Sequence, residues 1–225
     1  MSKFYDWFED SLFYDLMGKR SYSQSGEDMI AMGELPKKGF YVDVGACRPK
    51  RFSNTYGLYK KGWRGLVIDP NSELIARHKR IRKRDVAVCV GIGVEKEVRD
   101  YLIYTDPELN TFSGDQEAKN EAVGRRVIEK RKMSIVPLSE ILDEYLPKKA
   151  TVDLLSIDAE GMDLQVLESN NWKKYRPKVI ICEDLDFDWR NWEKSKVTVL
   201  LEKRGYVLLG KTGYSLVFRD SSWQK

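Results

Sequence analysis

The chain has one histidine, His78, and only three cysteines in 225 residues, none of them in a CxxC pair. That scarcity argues against a His/Cys zinc centre, and an odd, scattered set of thiols argues against a disulfide framework. Reduced thiols point to the cytoplasm, and Cys89 and Cys182 sit in apolar runs where an inert buried thiol is ordinary. No apolar run approaches the ~18 residues that span a bilayer. The opening MSKFYDWFEDSLFYDLMGKR places acids where a secretion signal would be continuously apolar. Repeats, low-complexity tracts and Gly/Ser linkers are missing too. One domain over 1–225 is therefore expected, with 1–35 as a helical extension packed on it.

What is present reads as a globular protein: 42% of residues are apolar, 33% are charged, and the net charge is +4. Basic residues crowd in RHKRIRKR (77–84) and GRRVIEKRK (124–132), which read as solvated helix faces. Aromatics are not interleaved with them as single-strand binding requires, so nucleic acid is not an expected partner. Attraction of an anionic nucleotide sugar or polymeric glycan is the sharper use of this charge. His78 lies within the first basic run and reads as a surface residue, not a catalytic base.

Along the chain, residues 4–17 space their aromatic and leucine side chains as an amphipathic helix, which packs on the domain or, alternatively, forms a homodimer contact. In SQSGED, Ser25 is expected to cap a helix, with Asp28 completing a capping box. From Gly39 onward strands and helices alternate. GFYVDVG is a first strand; SNTYGLYKKG is a short helix capped by Ser53 and stopped at Gly62; GLVIDPN is a second strand; a helix starts near Ser72; DVAVCV is a third strand and VRDYLIYT an additional one. The polar stretch 106–126 reads as a binding loop or lid. SEILDEYL, VDLLSID, MDLQVLES and KVIICED then give helix, strand, helix and strand. A helix over 192–204 and the pair GYVLLG/YSLVFR, joined at Lys211-Thr212-Gly213, close the chain. The expected fold is α/β: a doubly wound, mostly parallel, Rossmann-like sheet with a C-terminal antiparallel hairpin.

Ligands of such sheets bind beyond the carboxyl ends of the strands, beside the first one. There stand Asp43 and Gly45 of DVGACR, an acid followed by a glycine that lets a ligand approach the backbone. The turn is not GxGxxG, because Ala46, Cys47 and Arg48 follow. A dinucleotide needs further glycines for its pyrophosphate; S-adenosylmethionine has no phosphate and carries a cation, so it suits an acid-flanked turn better. Asp69, closing the second strand, can accept both ribose hydroxyls, or it simply starts the Asp-Pro-Asn turn.

GFYVDVGACRP, SNTYGLYKKGWRGLVIDPN and DLLSIDAEGMDLQVLES together resemble the FkbM family of methyltransferases, and SQSGED resembles the leader of one of its branches. The resemblance covers about residues 20–185, and Ala159-Glu160-Gly161 is its most specific piece. It implies that Asp43, Gly45, Ala46 and Asp69 hold S-adenosylmethionine, that Asn54 and Thr55 reach its amino-acid end, and that Asp85, Val86 and Ala87 lie beside adenine. Gln24, Ser25, Cys47 and Pro70 complete the expected cofactor set. It also implies O-methylation of a sugar or glycan, as in a bacterial surface-polysaccharide pathway or a virus that decorates its own glycans.

Methyl transfer to a hydroxyl needs a group to take its proton, and acids gather at the later strand ends: Asp158 and Glu160, then Glu183 and Asp184. Neighbouring strands about 4.8 Å apart would bring them together. Two readings stay open. Asp158 is the general base, with Glu160 and Glu183 as catalytic neighbours that raise its pKa. Or Asp158, Glu183 and Asp184 hold Mg²⁺ or Mn²⁺, an arrangement similar to the metal-dependent sugar methyltransferases of macrolide pathways, from which Glu183 departs because those enzymes have aspartate there. Glu160 also has a plain role in a helix first turn. Competing readings are methylation of a non-sugar small molecule, a nucleotide-dependent oxidoreductase or epimerase, and a binding module without activity. Tyr56 and Lys60 show the Tyr-x-x-x-Lys spacing of such oxidoreductases, but directly after the glycine turn, where it reads as chance. Acceptor contacts are expected from 106–126 and from Trp189, Trp192 and Trp223, although these tryptophans equally suit the core, and for Trp172 and Trp192 the core is the expected place.

Overall fold

The computed structural model describes residues 21–225, so the helix expected over 4–17 and its packing or dimer role lie outside the described residues. At the centre runs β1 (Phe40–Val44), whose sequence FYVDV is buried along its whole length, as a strand covered on both faces must be. It pairs in parallel with β2 (Arg64–Ile68) on one side and β7 (Leu154–Ile157) on the other. Outward from β2 lies β3 (Val86–Val88); outward from β7 lie β8 (Val179–Glu183), β10 (Ser215–Asp220) and β9 (Tyr206–Thr212), a seven-stranded sheet in the order β3-β2-β1-β7-β8-β10-β9. The last pair is the expected antiparallel hairpin. Strand order reverses between β1 and β7, which makes the carboxyl end of β1 the switch point.

Alternation within the strands sorts side chains onto two faces. Val42, Val44, Leu66, Ile68, Leu155 and Ile157 belong to one core, which is covered by α5 (Leu138–Tyr145), α6 (Asp163–Glu168) and α7 (Lys196–Lys203). Tyr41, Val67, Leu154 and Ile181 face the other core, where Ala31 and Leu35 of the α1 region (Glu27–Glu34) and Leu58 of α2 (Tyr56–Lys60) pack. Each fully buried aliphatic side chain contributes roughly 1.5–3 kcal/mol. Helix α3 (Ser72–Ile81) is started by Asn71, whose side chain accepts from the amides of Glu73 (3.0 Å) and Leu74 (3.3 Å).

A second, three-stranded sheet, β4 (Gly91–Ile92), β6 (Glu129–Val136) and β5 (Glu97–Ile103) in the order β4-β6-β5, stands over the carboxyl ends of the first. Between β5 and β6 the chain forms a 3-10 turn at Pro107–Leu109 and helix α4 (Gly114–Ala122), so the stretch 106–126 is not an irregular loop. Ser113 caps α4 through the amide of Gln116.

Four local expectations are corrected. Ser25 does not cap α1: Gly26 holds that position at φ 91°, and Ser23 Oγ accepts from its amide. Asp28 instead reaches back to the Tyr22 amide (2.9 Å) and the Ser21 and Ser23 hydroxyls. The second basic run is not a helix face: 124–128 form the turn and loop after α4, and 129–132 begin the strand β6. In the first basic run His78 and Arg82 are wholly buried, since helical spacing turns them to the inner side beside Leu74 and Ile75.

A candidate cofactor and active site at the strand ends

A cavity of about 550 Å³ opens beyond the carboxyl ends of β1, β2, β3, β7 and β8, where Gly45, Asp69, Val90, Asp158 and Glu183 share its wall. That volume lies within the roughly 300–1,000 Å³ usual for ligand pockets. The second sheet, the segment before α4 and α4 itself complete its lining through Tyr101, Glu108, Thr111, Phe112 and Gln116. The stretch 106–126 thus does line the site, as a folded element.

Gly45 takes φ 73°, and a Cβ added there would lie 1.8 Å from the carbonyl oxygen of Asp158. Only glycine fits, in both conformation and space. The amides of Gly45 and Ala46 donate to the carbonyl of Ile68 (2.9 and 3.2 Å), folding the turn back over β2. The Cys47 amide then donates to Asp69 Oδ2 (2.9 Å), while the Asn71 amide takes Oδ1 (2.7 Å). Asp69 therefore does start the Asp-Pro-Asn turn, yet each oxygen keeps a lone pair for a ligand hydroxyl. Burial pushes its pKa up to about 6 against the pull of those two amides.

Asp43 is buried behind this wall, accepting from Thr55 Oγ1 at 2.5 Å. Burial raises its pKa, opposed chiefly by the Arg82 guanidinium and the Thr55 hydroxyl. Asn54 Nδ2 donates to Ser156 Oγ of β7 (3.1 Å), and its Oδ1 is buried without a partner. Asp43, Ala46, Asn54 and Thr55 support the cavity, whereas Gln24, Gly45, Cys47, Asp69 and Pro70 form its surface.

On the opposite wall stand Asp158, Glu160 and Glu183. Burial is the first cause for each; repulsion by Asp163 and Asp43 then helps push Asp158 up to about 7, and repulsion by Asp158 and Asp163 helps push Glu160 up to about 9 and Glu183 up to about 10. Asp158 Oδ1 is buried with no hydrogen-bond partner. The backbone carrying these acids is tightly made. Glu160 has φ 47° and Gly161 φ 91°, and the Asp163 carboxylate accepts from the amides of Ala159 and Gly161 (both 3.2 Å). Thr111 Oγ1 donates to the Glu160 carbonyl (2.7 Å), tying the turn to the second sheet. Arg125, also on the wall, is the cation that eases Glu160.

Several expected site residues fall elsewhere. Asp85 lies before β3, at the amino end of a parallel strand and so on the side of the sheet away from the cavity. It accepts from the Gly65 amide, Tyr41 Oη and Arg82 Nε. Ala87 packs in the core against β2. Neither is beside a cofactor cavity. Ser25 is not on the wall; a Cβ on Gly213 would meet its hydroxyl. Asp184 turns from the site: its Oδ2 accepts from Ser195 Oγ (2.6 Å) and its Oδ1 from the Asp186 amide (3.2 Å). Among the described residues no group of three or more His, Cys, Asp or Glu is arranged to hold a metal. The set Asp158, Glu183 and Asp184 therefore does not fit an ion. Trp172 is core, as allowed. Trp192 is exposed, and Trp223 donates to the Glu34 carbonyl (3.0 Å); these and Trp189 are off the cavity wall. Phe52 and Tyr214 supply aromatic surface instead, and their position depends on backbone geometry that no sequence pattern announced.

Tyr56 is buried and Lys60 Nζ donates to Tyr22 Oη (2.9 Å), so the Tyr-x-x-x-Lys pair is off the wall as well. No curated protein sequence matches the chain. A solved structure with 15% sequence identity and a TM-score of 0.43, a TehB-like SAM-dependent methyltransferase from Corynebacterium glutamicum ATCC 13032 Kitasato, is matched over 97% of this chain and 99% of that one. The sequence profile of the methyltransferase FkbM domain matches residues 43–208, from the acid of the first turn through the acid-bearing strands to the hairpin. The chain belongs to the FkbM family of S-adenosylmethionine-dependent methyltransferases.

Proposed function

We propose that this methyltransferase acts on a hydroxyl of a sugar or glycan, with Asp158 as the group that takes the hydroxyl proton. The observation that carries the reading is contiguity. The cofactor turn at Gly45 and the unpartnered carboxyl of Asp158 share one cavity, with the glycine packed on the Asp158 carbonyl. S-adenosylmethionine, when bound, supplies a methyl group on a cationic sulfur. Gly45 and Cys47 offer it a close backbone surface, and Asp69 keeps acceptor capacity for its ribose hydroxyls. Asp158, with a pKa near 7, is half ionised near neutral pH, where a general base is most effective. Glu160 and Glu183 hold their protons at that pH and can donate to other oxygens of a polyhydroxylated acceptor.

The engagement of Asp184 by Ser195 and the Asp186 amide supports catalysis by the carboxylate alone. Activity measured in excess chelator is expected to stay unchanged; collapse, with recovery on adding Mg²⁺ or Mn²⁺, would refute this mechanism. The acceptor class is tested by methyl transfer from labelled S-adenosylmethionine to nucleotide sugars, oligosaccharides and non-sugar alcohols. Labelling of the last alone would overturn the sugar assignment. Among the described residues no helix is long and apolar enough to cross a membrane. The three free thiols support action on an acceptor in a reducing compartment such as the cytoplasm.

A further inference from the structure

The wall that receives the cofactor is strained. Two of its residues, Cys47 (φ 41°) and Phe52 (φ 55°), hold a left-handed backbone without being glycine, a conformation that persists only where the surroundings enforce it. His78 Nε2 lies 3.1 Å from the carbonyl oxygen of Cys47, which can only accept, so the proton is on Nε2. One helical turn on, Arg82 is fully buried with every N–H of its guanidinium engaged. Nη1 donates to the Pro49 carbonyl (3.4 Å) and Ser53 Oγ (3.2 Å), Nη2 to Thr55 Oγ1 and Tyr41 Oη (both 2.8 Å), and Nε to Asp85 (2.7 Å). Ser53 Oγ in turn accepts from the Tyr56 amide (3.1 Å), and Thr55 donates to Asp43. The segment that begins after Asp69 therefore grips residues 47 to 55 at four points.

We propose that His78 and Arg82 are positioning residues for cofactor binding, which hold the turn of residues 45–55 in the strained shape that presents Gly45, Cys47 and Phe52 to the cofactor. Neither touches the cavity, and this role rests on the reading of that cavity as the S-adenosylmethionine site. The lone histidine is thus neither a surface residue nor a base. Burial and the nearby arginine depress its pKa to about 3, so it serves as a neutral, fixed donor. Cys47 is thus held at both ends, its carbonyl by His78 and its amide by Asp69.

The test is calorimetric titration of S-adenosylmethionine into the full chain, with melting curves and steady-state rates alongside. His78→Leu removes the donor and is expected to weaken binding about tenfold, the scale of one buried hydrogen bond. The turnover rate at saturating cofactor should stay within about twofold. His78→Gln keeps an N–H donor and should recover most of the affinity. Adding Cys47→Gly to His78→Leu should also recover affinity, since glycine adopts the positive φ without being held. Arg82→Gln is paired with Asp85→Asn so that the carboxylate bonded to Nε loses its charge together with the guanidinium, and it should weaken binding at least as much as His78→Leu. Should that pair not fold, the His78 series decides alone. Wild-type affinity in folded His78→Leu, no recovery by either rescue, or a loss of turnover with unchanged affinity would each overturn the positioning role. A wild-type chain that binds no S-adenosylmethionine would overturn the cofactor reading itself, and is distinct because the positioning role fails alone only when the wild type binds.

Discussion

The two walls of the cavity are built on opposite plans. On the side of β1 and β2 the polar groups are matched except for Asn54 Oδ1 and His78 Nδ1: the Asp69 oxygens each take an amide, and Arg82 spends every N–H on loop 45–55 and its neighbours. On the side of β7 and β8 carboxyl groups crowd together, with Asp158 Oδ1 buried and unpartnered. A matched wall has one shape and little left to change, which suits holding a ligand. A crowded acidic wall has raised pKa values and free acceptor capacity, which suits moving a proton. Binding and chemistry are therefore separable here, and substitutions on the two walls should fail in different ways.

The largest effect is expected where the walls meet. Gly45→Ala drives a Cβ into the Asp158 carbonyl and imposes a positive φ on alanine, so it should cost about 3 kcal/mol or more and abolish cofactor binding. A well-folded variant that titrates like the wild type would break the comparison at its hinge. Next, Asp158→Asn should lower kcat on the order of 10²–10⁴-fold while leaving cofactor affinity within about twofold. Lost affinity instead would move Asp158 to the binding wall. The pH dependence sharpens the same point. With S-adenosylmethionine saturating, kcat/KM for the acceptor should rise as pH passes about 7, where Asp158 loses its proton. Stability should run the other way. Folding raises the pKa of Asp158, Glu160 and Glu183, so the folded chain binds more protons than the unfolded one above about pH 4. Their contribution is full below that pH and is lost as pH rises through 7 toward 10. Urea midpoints of the cofactor-free protein that climb from pH 6 to pH 9 would contradict the crowding. The smallest effect belongs to Asp184→Asn. It exchanges one acceptor for Ser195 for another, so activity should stay within about twofold and stability within about 1 kcal/mol.

How far these features could be read from the chain follows from their physics. β1, β2, β7 and β8 were legible because buried parallel strands read as short apolar runs, and the rule of carboxyl ends then selected Gly45, Asp69, Asp158 and Glu183. Asp184 was misplaced because consecutive residues at a strand end point to opposite sides, so only one of the pair Glu183-Asp184 can face the cavity. Asp85 was misplaced because it precedes its strand and therefore sits at the amino end. β6, in EKRKMSIV, carries too much charge for strand patterning, since most of that strand faces water. His78 and Arg82 were hidden by composition: in a run where nearly every residue is basic, nothing local marks the two that turn inward, and only the partners waiting on residues 47–55 decide it.

Isothermal titration of the wild-type chain and of Asp69→Ala, with S-adenosylmethionine and NAD in parallel, tests the central claim most directly. The wild type is expected to bind S-adenosylmethionine and not NAD, and Asp69→Ala to weaken that binding by roughly tenfold or more through the lost acceptors and the unpaired Cys47 amide. Tight binding of NAD alone, of neither ligand, or of S-adenosylmethionine with equal strength in Asp69→Ala would contradict that claim.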